Sequence, residues 1–211
     1  MTGFLPIFPL NIVVFPGEAL NLHIFEDRYK QLVQECFEEK KEFGIPTVID
    51  NKLRELGTKV KILSIEKKYA DGTMDIKTQG ISTFRILEVI DDVPNKLYKG
   101  AVVSAVPTEH YDGKPSKMKV IMSEIQMFHK LLKIKKDYGI PDEELTAYHI
   151  AHHIGLNIEE EYDVLRMPKE SQRQEYILQH LRKVLPTALE LKNLQERIKL
   201  NGHYKRLSLD D

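Results

Sequence analysis

The sequence predicts an α+β protein: an antiparallel β-barrel with one helix over residues 1–112, then an α-helical bundle over 113–211. Three observations predict it. The first half is filled with short, proline-punctuated apolar runs of period two. Only one stretch in that half has helical spacing. Past Pro107 the apolar period changes to that of helices, after a linker, Thr108–Ser116, that holds Asp112-Gly113 and Pro115.

Phe8 to Tyr29 reads FPLNIVVFPGEALNLHIFEDRY. Gly3–Leu10 and Ala19–Phe25 are short extended runs, and the prolines at 6, 9 and 16 suit edges and turns, where no ladder donor is needed. Pro16-Gly17 has the composition of a type II turn, proline presetting the first central φ and glycine taking the positive φ of the second. Leu20, Leu22 and Ile24 alternate with Asn21 and His23, as in a half-buried strand. A helix then spans Glu26 to Lys41. Tyr29, Leu32, Val33, Cys36 and Phe37 form its apolar stripe, with Glu26 and Asp27 in the first turn and Lys40 and Lys41 in the last, as the helix dipole favours. Glu42–Ile49, Val60–Tyr69, Met74–Thr78, Thr83–Val89 and Lys99–Val106 read as further strands, with Asp71-Gly72 as a type I′ hairpin turn. Six or seven short, mostly antiparallel strands and one helix suggest a small closed or half-closed barrel.

In the second half, Lys117–Asp137 places Val120, Ile121, Ile125, Phe128, Leu131 and Leu132 on one helix face. Gly139 and Pro141 separate it from a short helix, Glu143–Ile154, closed by Gly155. Asn157 caps a helix over Ile158–Arg166, and Pro168 opens a long one reaching about Leu200. Pro186 lies inside that last helix, where a missing amide predicts a kink or a split.

Bulk chemistry narrows the function classes. With 31 basic against 32 acidic residues the formal net charge is −1, which argues against nucleic acid and against an anionic membrane as partners. One cysteine, Cys36, forms no intrachain disulfide and fits a reducing compartment. The amino end lacks the basic region of a signal peptide, and no 18-residue apolar stretch occurs, so a cytoplasmic location is expected.

The opening stretch resembles the signature of the Lon protease N-terminal (substrate-binding) domain family. The matching residues are Phe8-Pro9-Leu10, Phe15-Pro16-Gly17, and His23-Ile24-Phe25-Glu26 with Arg28-Tyr29. Phe43-Gly44-Ile45, Leu56-Gly57-Thr58, Asp71-Gly72, and Gly80 with Phe84-Arg85-Ile86 resemble later family elements in order. Thr83 departs from the pattern, which usually carries arginine there. The resemblance implies a PUA-like β-barrel followed by a helical bundle. Within it, Pro9, Leu10, Pro16, Gly17, Phe25, Glu26, Arg28, Tyr29, Gly80 and Phe84 are expected to be structural, with Glu26 and Arg28 fixing the helix start against the barrel.

Further chemistry is sparse. No GxxxxGK[ST] phosphate loop occurs, and Asp112-Gly113-Lys114-Pro115-Ser116 only superficially resembles the setting of a Ser-Lys protease serine, so no enzyme and no cofactor are expected. His149, His152 and His153 have metal-ligand spacing on a helix, with Glu143 and Glu144 near in sequence. HEXXH is absent, and the favoured reading is ordinary surface or half-buried histidines with no metal. Cys36 reads as a buried, inert thiol whose neighbours Glu35 and Glu38 disfavour the thiolate. Glu159-Glu160-Glu161 reads as a solvated helix start, and the basic pieces Lys133–Lys136 and Tyr204–Arg206 are too short for an RNA-binding face.

The function expected is recognition of unfolded or extended polypeptides, with Val13, Val14, Phe15 and Pro16 as the candidate peptide-binding segment if it is exposed and a core segment if it packs inside. An adaptor docking on a protease or other complex through the helical half is the alternative, and a PUA-like RNA-binding protein a third. Homo-oligomerisation stays open.

Overall fold

The computed structural model describes residues 2–109 and 112–207. Six strands make one antiparallel sheet: β1 (Thr2–Pro6), β2 (Ala19–Ile24), β3 (Phe43–Ile49), β4 (Lys52–Lys68), β5 (Met74–Ile90) and β6 (Gly100–Ala105). Its order is β1-β6-β5-β4-β3, and β2 pairs with the first half of β5. One helix, α1 (Asp27–Glu38), lies among the strands. α2 (Pro115–Leu132), α3 (Ala147–Ile150), α4 (Ile158–Arg166) and α5 (Glu170–Leu207) follow.

The sheet does not close into the expected PUA-like barrel. Among the described residues, the two borders β1 and β3 are joined by isolated parallel bridges from the segment just after β1, Ile7 to Gly44 and Leu10 to Thr47, and not by a ladder. The amides of Phe8 and Leu10 donate to the carbonyls of Gly44 (2.8 Å) and Pro46 (3.2 Å), and Leu10 accepts from Val48 (2.8 Å). Pro6 and Pro9 on one side and Pro46 on the other have no amide to give, so a continuous ladder cannot form there.

Local chemistry explains the other departures. Met74–Thr78 and Thr83–Val89 are two parts of one 17-residue strand, because register shifts between β4 and β5 bend the pair without ending it. β4 starts at Lys52, eight residues earlier than its alternation suggested, after a two-residue loop. Asp50 and Asn51 both have positive φ there (50° and 57°), which is the type I′ geometry. At Asp71-Gly72 only Gly72 is positive (79°), and three residues separate Tyr69 from Thr73, so that hairpin is a glycine-bulge loop and not type I′. α1 stops at Glu38 because Lys40 turns left-handed (φ 53°), which leaves Lys40 and Lys41 beyond the helix. α2 likewise ends at Leu132, with Lys133 left-handed (φ 58°). α5 runs through Pro186 without a break.

Pro115 opens α2 at a first-turn position, where a missing amide costs nothing. Asn157 caps α4 as expected, its side chain accepting from the Glu160 amide (3.0 Å) while Glu160 returns a bond to the Asn157 amide (2.8 Å). Three cores result. One lies between sheet and α1, around Phe8, Leu32, Val33, Phe43 and Val60. One joins α2, α3 and α5 around Ile121, Ile125, Ile150, Ile177 and Leu181. The third seals the two halves together through Val13, Phe15, Leu56, Tyr148, Tyr162 and Leu165.

Candidate functional site: the seam and the free sheet edge

The opening motif builds the seam. Gly17 has φ 87°, and the Glu18 amide returns to the Phe15 carbonyl (3.1 Å), so Pro16-Gly17 is the type II turn the sequence predicts. Gly80 lets β5 run directly beneath that turn: a Cβ there would sit 2.2 Å from the Phe15 carbonyl oxygen. The Gly80 amide donates to the Glu18 carbonyl (2.8 Å), and the Gly17 amide donates to the Gly80 carbonyl (3.0 Å). Phe84, fully buried, rests against Gly44 and Gly57 of the neighbouring strands, where any Cβ would meet its ring at 2.7–2.8 Å. Phe8 stacks on Tyr29 (3.9 Å between centroids), with the Arg28 guanidinium over the other ring (4.6 Å).

Two motif residues depart from the structural role expected. Glu26 makes no side-chain cap, and its carboxylate pairs with Arg28 (2.6 Å) on the surface instead of tying helix to sheet. Phe25 lies outside the core, 62% exposed at the end of β2.

Val13, Val14 and Phe15 go the other way. All three are interior, Phe15 at 0% exposure, and only Pro16 is half-exposed. A run of three apolar residues is buried on both sides because the sheet lies beneath it and the helices above. Phe15 stacks on Tyr148 (5.0 Å) and contacts the His152 ring (4.8 Å). Thr58 donates its hydroxyl to the Val14 carbonyl. As folded, Val13, Val14 and Phe15 offer no surface to a polypeptide, and Pro16 is the one member of the segment that reaches solvent.

Polar contacts lock this seam. Arg173 is fully buried: its guanidinium donates to the Glu170 carboxylate (3.0 Å) and to the carbonyls of Met167 (2.7 Å) and Glu109 (2.8 Å), and lies 4.3 Å from the Tyr148 ring centroid. Glu170 also accepts from the Ala147 amide (2.7 Å). Burial raises the Glu170 pKa, against the pull of that amide and of Arg173. Tyr162 accepts from the Leu56 amide (3.0 Å), and Glu159 pairs with Arg54, so α4 is fastened to β4 twice.

His152 forms a second clasp. One ring nitrogen faces Glu161 of α4 (2.8 Å) and the other faces Glu18 of the turn (3.2 Å), so both nitrogens carry protons. Burial opposes that charge, but hydrogen bonds to Glu161 and Glu18 outweigh it and push the ring pKa to about 9. Because the folded value lies above the unfolded one, this stabilisation is complete below about pH 6.5 and disappears as pH rises through about 9. Wild type is therefore expected to lose on the order of 2–3 kcal/mol more than His152→Gln between pH 6 and pH 10, read from urea midpoints. Equal losses in the two proteins would remove the clasp.

The remaining sequence candidates separate. The short α3 passes directly into a 3₁₀ turn, so the histidines do not share one helical face. His149 accepts from the Thr146 amide (3.0 Å), while His153 lies beside the Tyr138 ring (5.7 Å), and burial lowers both their pKa values. Among the described residues no three histidine, cysteine or acidic side chains are placed to hold a metal. Cys36 is buried. Burial, then Glu35 and Glu39 rather than Glu38, raise its pKa to about 11. The Glu159–Glu161 run is engaged, not merely solvated: one residue pairs with Arg54, one caps α4 and one holds His152. Asp112 accepts from the Ser171 amide (3.2 Å) and hydroxyl (2.6 Å), and the Lys114 amide donates to Gln174 (3.0 Å), so the stretch that resembled a protease serine setting ties the linker to α5. Thr83 is buried in β5 within reach of the Tyr148 hydroxyl. The side chains of Tyr204–Arg206 lie outside the described residues.

What stays open is at the surface. β2 pairs on one side with β5 and, among the described residues, with nothing on the other. A shallow depression of about 450 Å³ crosses the sheet face beside it, lined by Asn21, Leu22 and His23 of β2, Asp75 and Lys77 of β5 and Glu66 of β4. His23 and Asp75 hold each other (2.6 Å), and Asp75 also accepts from the Tyr69 hydroxyl (2.7 Å). No helix among the described residues is long and apolar enough to cross a membrane.

An open antiparallel sheet with an inserted helix, sealed by buried contacts to a trailing helical cluster, is the class of fold seen in Lon N-terminal domains. A Lon N-terminal domain protein from Xanthomonas campestris superposes with a TM-score of 0.63 at 22% identity, over 83% of this chain and 97% of that one. The N-terminal domain of the Mycobacterium avium complex Lon protease gives 0.61 at 13% identity, over 85% and 98%. The chain belongs to the ATP-dependent protease La (LON) substrate-binding domain family, whose model matches residues 4–183. The Lon protease of Cytophaga hutchinsonii is 25% identical over 194 residues. That match covers 83% of this chain but 23% of the protease, so the chain spans about a quarter of its relative's length.

Proposed function

We propose that this chain is a non-enzymatic recognition module for unfolded or extended polypeptides. The family match over residues 4–183, to a substrate-binding domain, carries this reading. The surface chemistry is compatible with it. Phe4, Phe25, Leu87 and Leu97 are each more than half exposed on the sheet half, and such side chains hold extended chains weakly and with little sequence preference. With Val13–Phe15 sealed inside, contact falls to these outer positions. The test is titration with one model protein in two states, reduced and carboxymethylated or native. Binding of the unfolded state alone supports the reading, and absence of binding to either overturns it.

A second reading has its own observation. On α5, Leu189, Leu191, Leu194 and Ile198 are about half exposed or more, which suits an adaptor that docks through the helical half on a protease or other complex. One stoichiometric partner, lost in a Leu191→Ser/Leu194→Ser variant that still takes up unfolded protein, would identify that role.

A further inference from the structure

The recognition reading says what is bound. The treatment of the sheet's edges says where, and by which bonds. An unpaired edge strand is a template for another chain, and proteins blunt such edges with prolines, lysines and bulges. Here the β1 and β3 borders carry Pro6, Pro9 and Pro46 and are bridged to each other. β4 beyond Val60, where β3 has ended, carries Lys61, Lys67 and Lys68, and its register shifts between Ile62 and Ser64 and again between Ile65 and Lys67. β2 has none of these devices. Ala19-Leu20-Asn21-Leu22-His23-Ile24 contains no proline and no lysine, and its register with β5 runs unbroken.

The direction of its backbone groups follows from the turn before it. The Glu18 carbonyl accepts the Gly80 amide of β5. Alternation along an antiparallel strand then turns Leu20, Leu22 and Ile24 toward β5, and the amides and carbonyls of Ala19, Asn21 and His23 away from it. We propose that the outer edge of β2 takes an extended segment of an unfolded polypeptide as an added strand, paired to the backbone of Ala19, Asn21 and His23.

The edge also states which segments fit. On one face an added strand lies beside Leu20 and Leu22, both half-buried at the rim of the core. On the other it lies beside exposed Asn21 and His23, with Phe25 at the end. A segment with apolar residues at alternate positions matches this pattern. The Asp75 carboxylate of β5, shared with Tyr69, holds the His23 ring on the paired side of β2, which leaves the outer backbone edge uncovered by it. Backbone pairing supplies affinity that does not depend on sequence, and a half-buried rim supplies a mild apolar preference.

The test uses the full chain and a fluorescent eight-residue peptide of alternating valine and threonine with lysines at both ends. A second peptide has the same sequence with every central amide N-methylated, which keeps the side chains and removes the donors. Asn21→Pro removes one outward amide and leaves the β5 ladder intact. The unmodified peptide is expected to bind, N-methylation to weaken binding by about tenfold or more from two or three hydrogen bonds lost, and Asn21→Pro to weaken it by about threefold or more from the one hydrogen bond lost. The peptide comparison needs no altered protein, so it stands even if Asn21→Pro folds poorly. If unfolded protein binds while neither change matters, recognition survives and the β2 proposal falls. If nothing binds the wild type, the recognition reading falls with it. Self-association of the wild type that Asn21→Pro abolishes would make a second copy the occupant and overturn the proposal as stated.

Discussion

Arg173→Ala is expected to cost about 3–5 kcal/mol of stability, read as a lowered denaturant midpoint, because it leaves the Glu170 carboxylate buried without its partner. The loss is large for a single side chain because of what the guanidinium reaches. It serves a carboxylate in α5, the carbonyls of Glu109 in the linker and of Met167 between α4 and α5, and the face of Tyr148, which in turn stacks on Phe15 of the opening motif. The chain from Glu170 to Phe15 is the most deeply buried of the polar links between helices and sheet, beside those made by Tyr162, Glu159 and His152. Adding Glu170→Gln to the alanine variant should recover part of the loss, since the stranded charge is then gone. A loss below about 1 kcal/mol in Arg173→Ala would show that the seam is held by apolar packing alone.

Gly80→Ala is expected to lose about 3 kcal/mol or more, at or beyond the upper range for overpacked interiors. Its added methyl meets backbone first, the Phe15 carbonyl oxygen at 2.2 Å and its carbon at 3.1 Å, with the Thr58 methyl beyond them at 3.3 Å. That carbonyl cannot swing aside, because it accepts the Glu18 amide that closes the Pro16-Gly17 turn. Gly3→Ala is the control. A Cβ at Gly3 meets nothing within 4 Å, and the change should stay within about 0.5 kcal/mol. Equal effects at the two positions, measured by thermal or urea unfolding, would contradict the close packing of β5 under the turn.

These two residues differ in how much of their role the sequence shows. Gly80 was legible as part of a motif, although only the packed turn explains why glycine is needed. Arg173 belongs to no motif, yet the sequence carries a signal for it. It sits four and eight residues before Ile177 and Leu181 on the buried stripe of a helix, with Glu170 one turn earlier. A charged residue on such a stripe has to be paired. Elements with strong local chemistry were readable: the type II turn at Pro16-Gly17, the cap at Asn157, the stripe of α1. The barrel's closure was not, because it depends on whether two proline-bearing segments far apart in sequence can form a ladder, and Pro6, Pro9 and Pro46 withhold the donors. Asp50-Asn51 gives little hairpin signal because neither position is glycine, while Asp71-Gly72 has the composition of a type I′ pair and makes a different loop.

The candidate site was the least legible feature. Val13–Phe15 is an apolar run beside a turn, and such a run reads the same whether it faces solvent or a second layer. Helices more than a hundred residues later in the chain decide the matter. The β2 edge was visible only as an alternating strand. Its lack of lysine and proline acquires meaning once the neighbouring edges are known to carry them.

Backbone amide exchange of the full chain, measured residue by residue with and without an unfolded model protein, tests the account most directly. The expected result is slowed exchange at Ala19, Asn21 and His23 in the presence of the unfolded chain, with the amides of Leu20 and Leu22, already bonded to β5, little changed. Exchange unaltered along β2, with protection appearing only on α5 or nowhere, would contradict it.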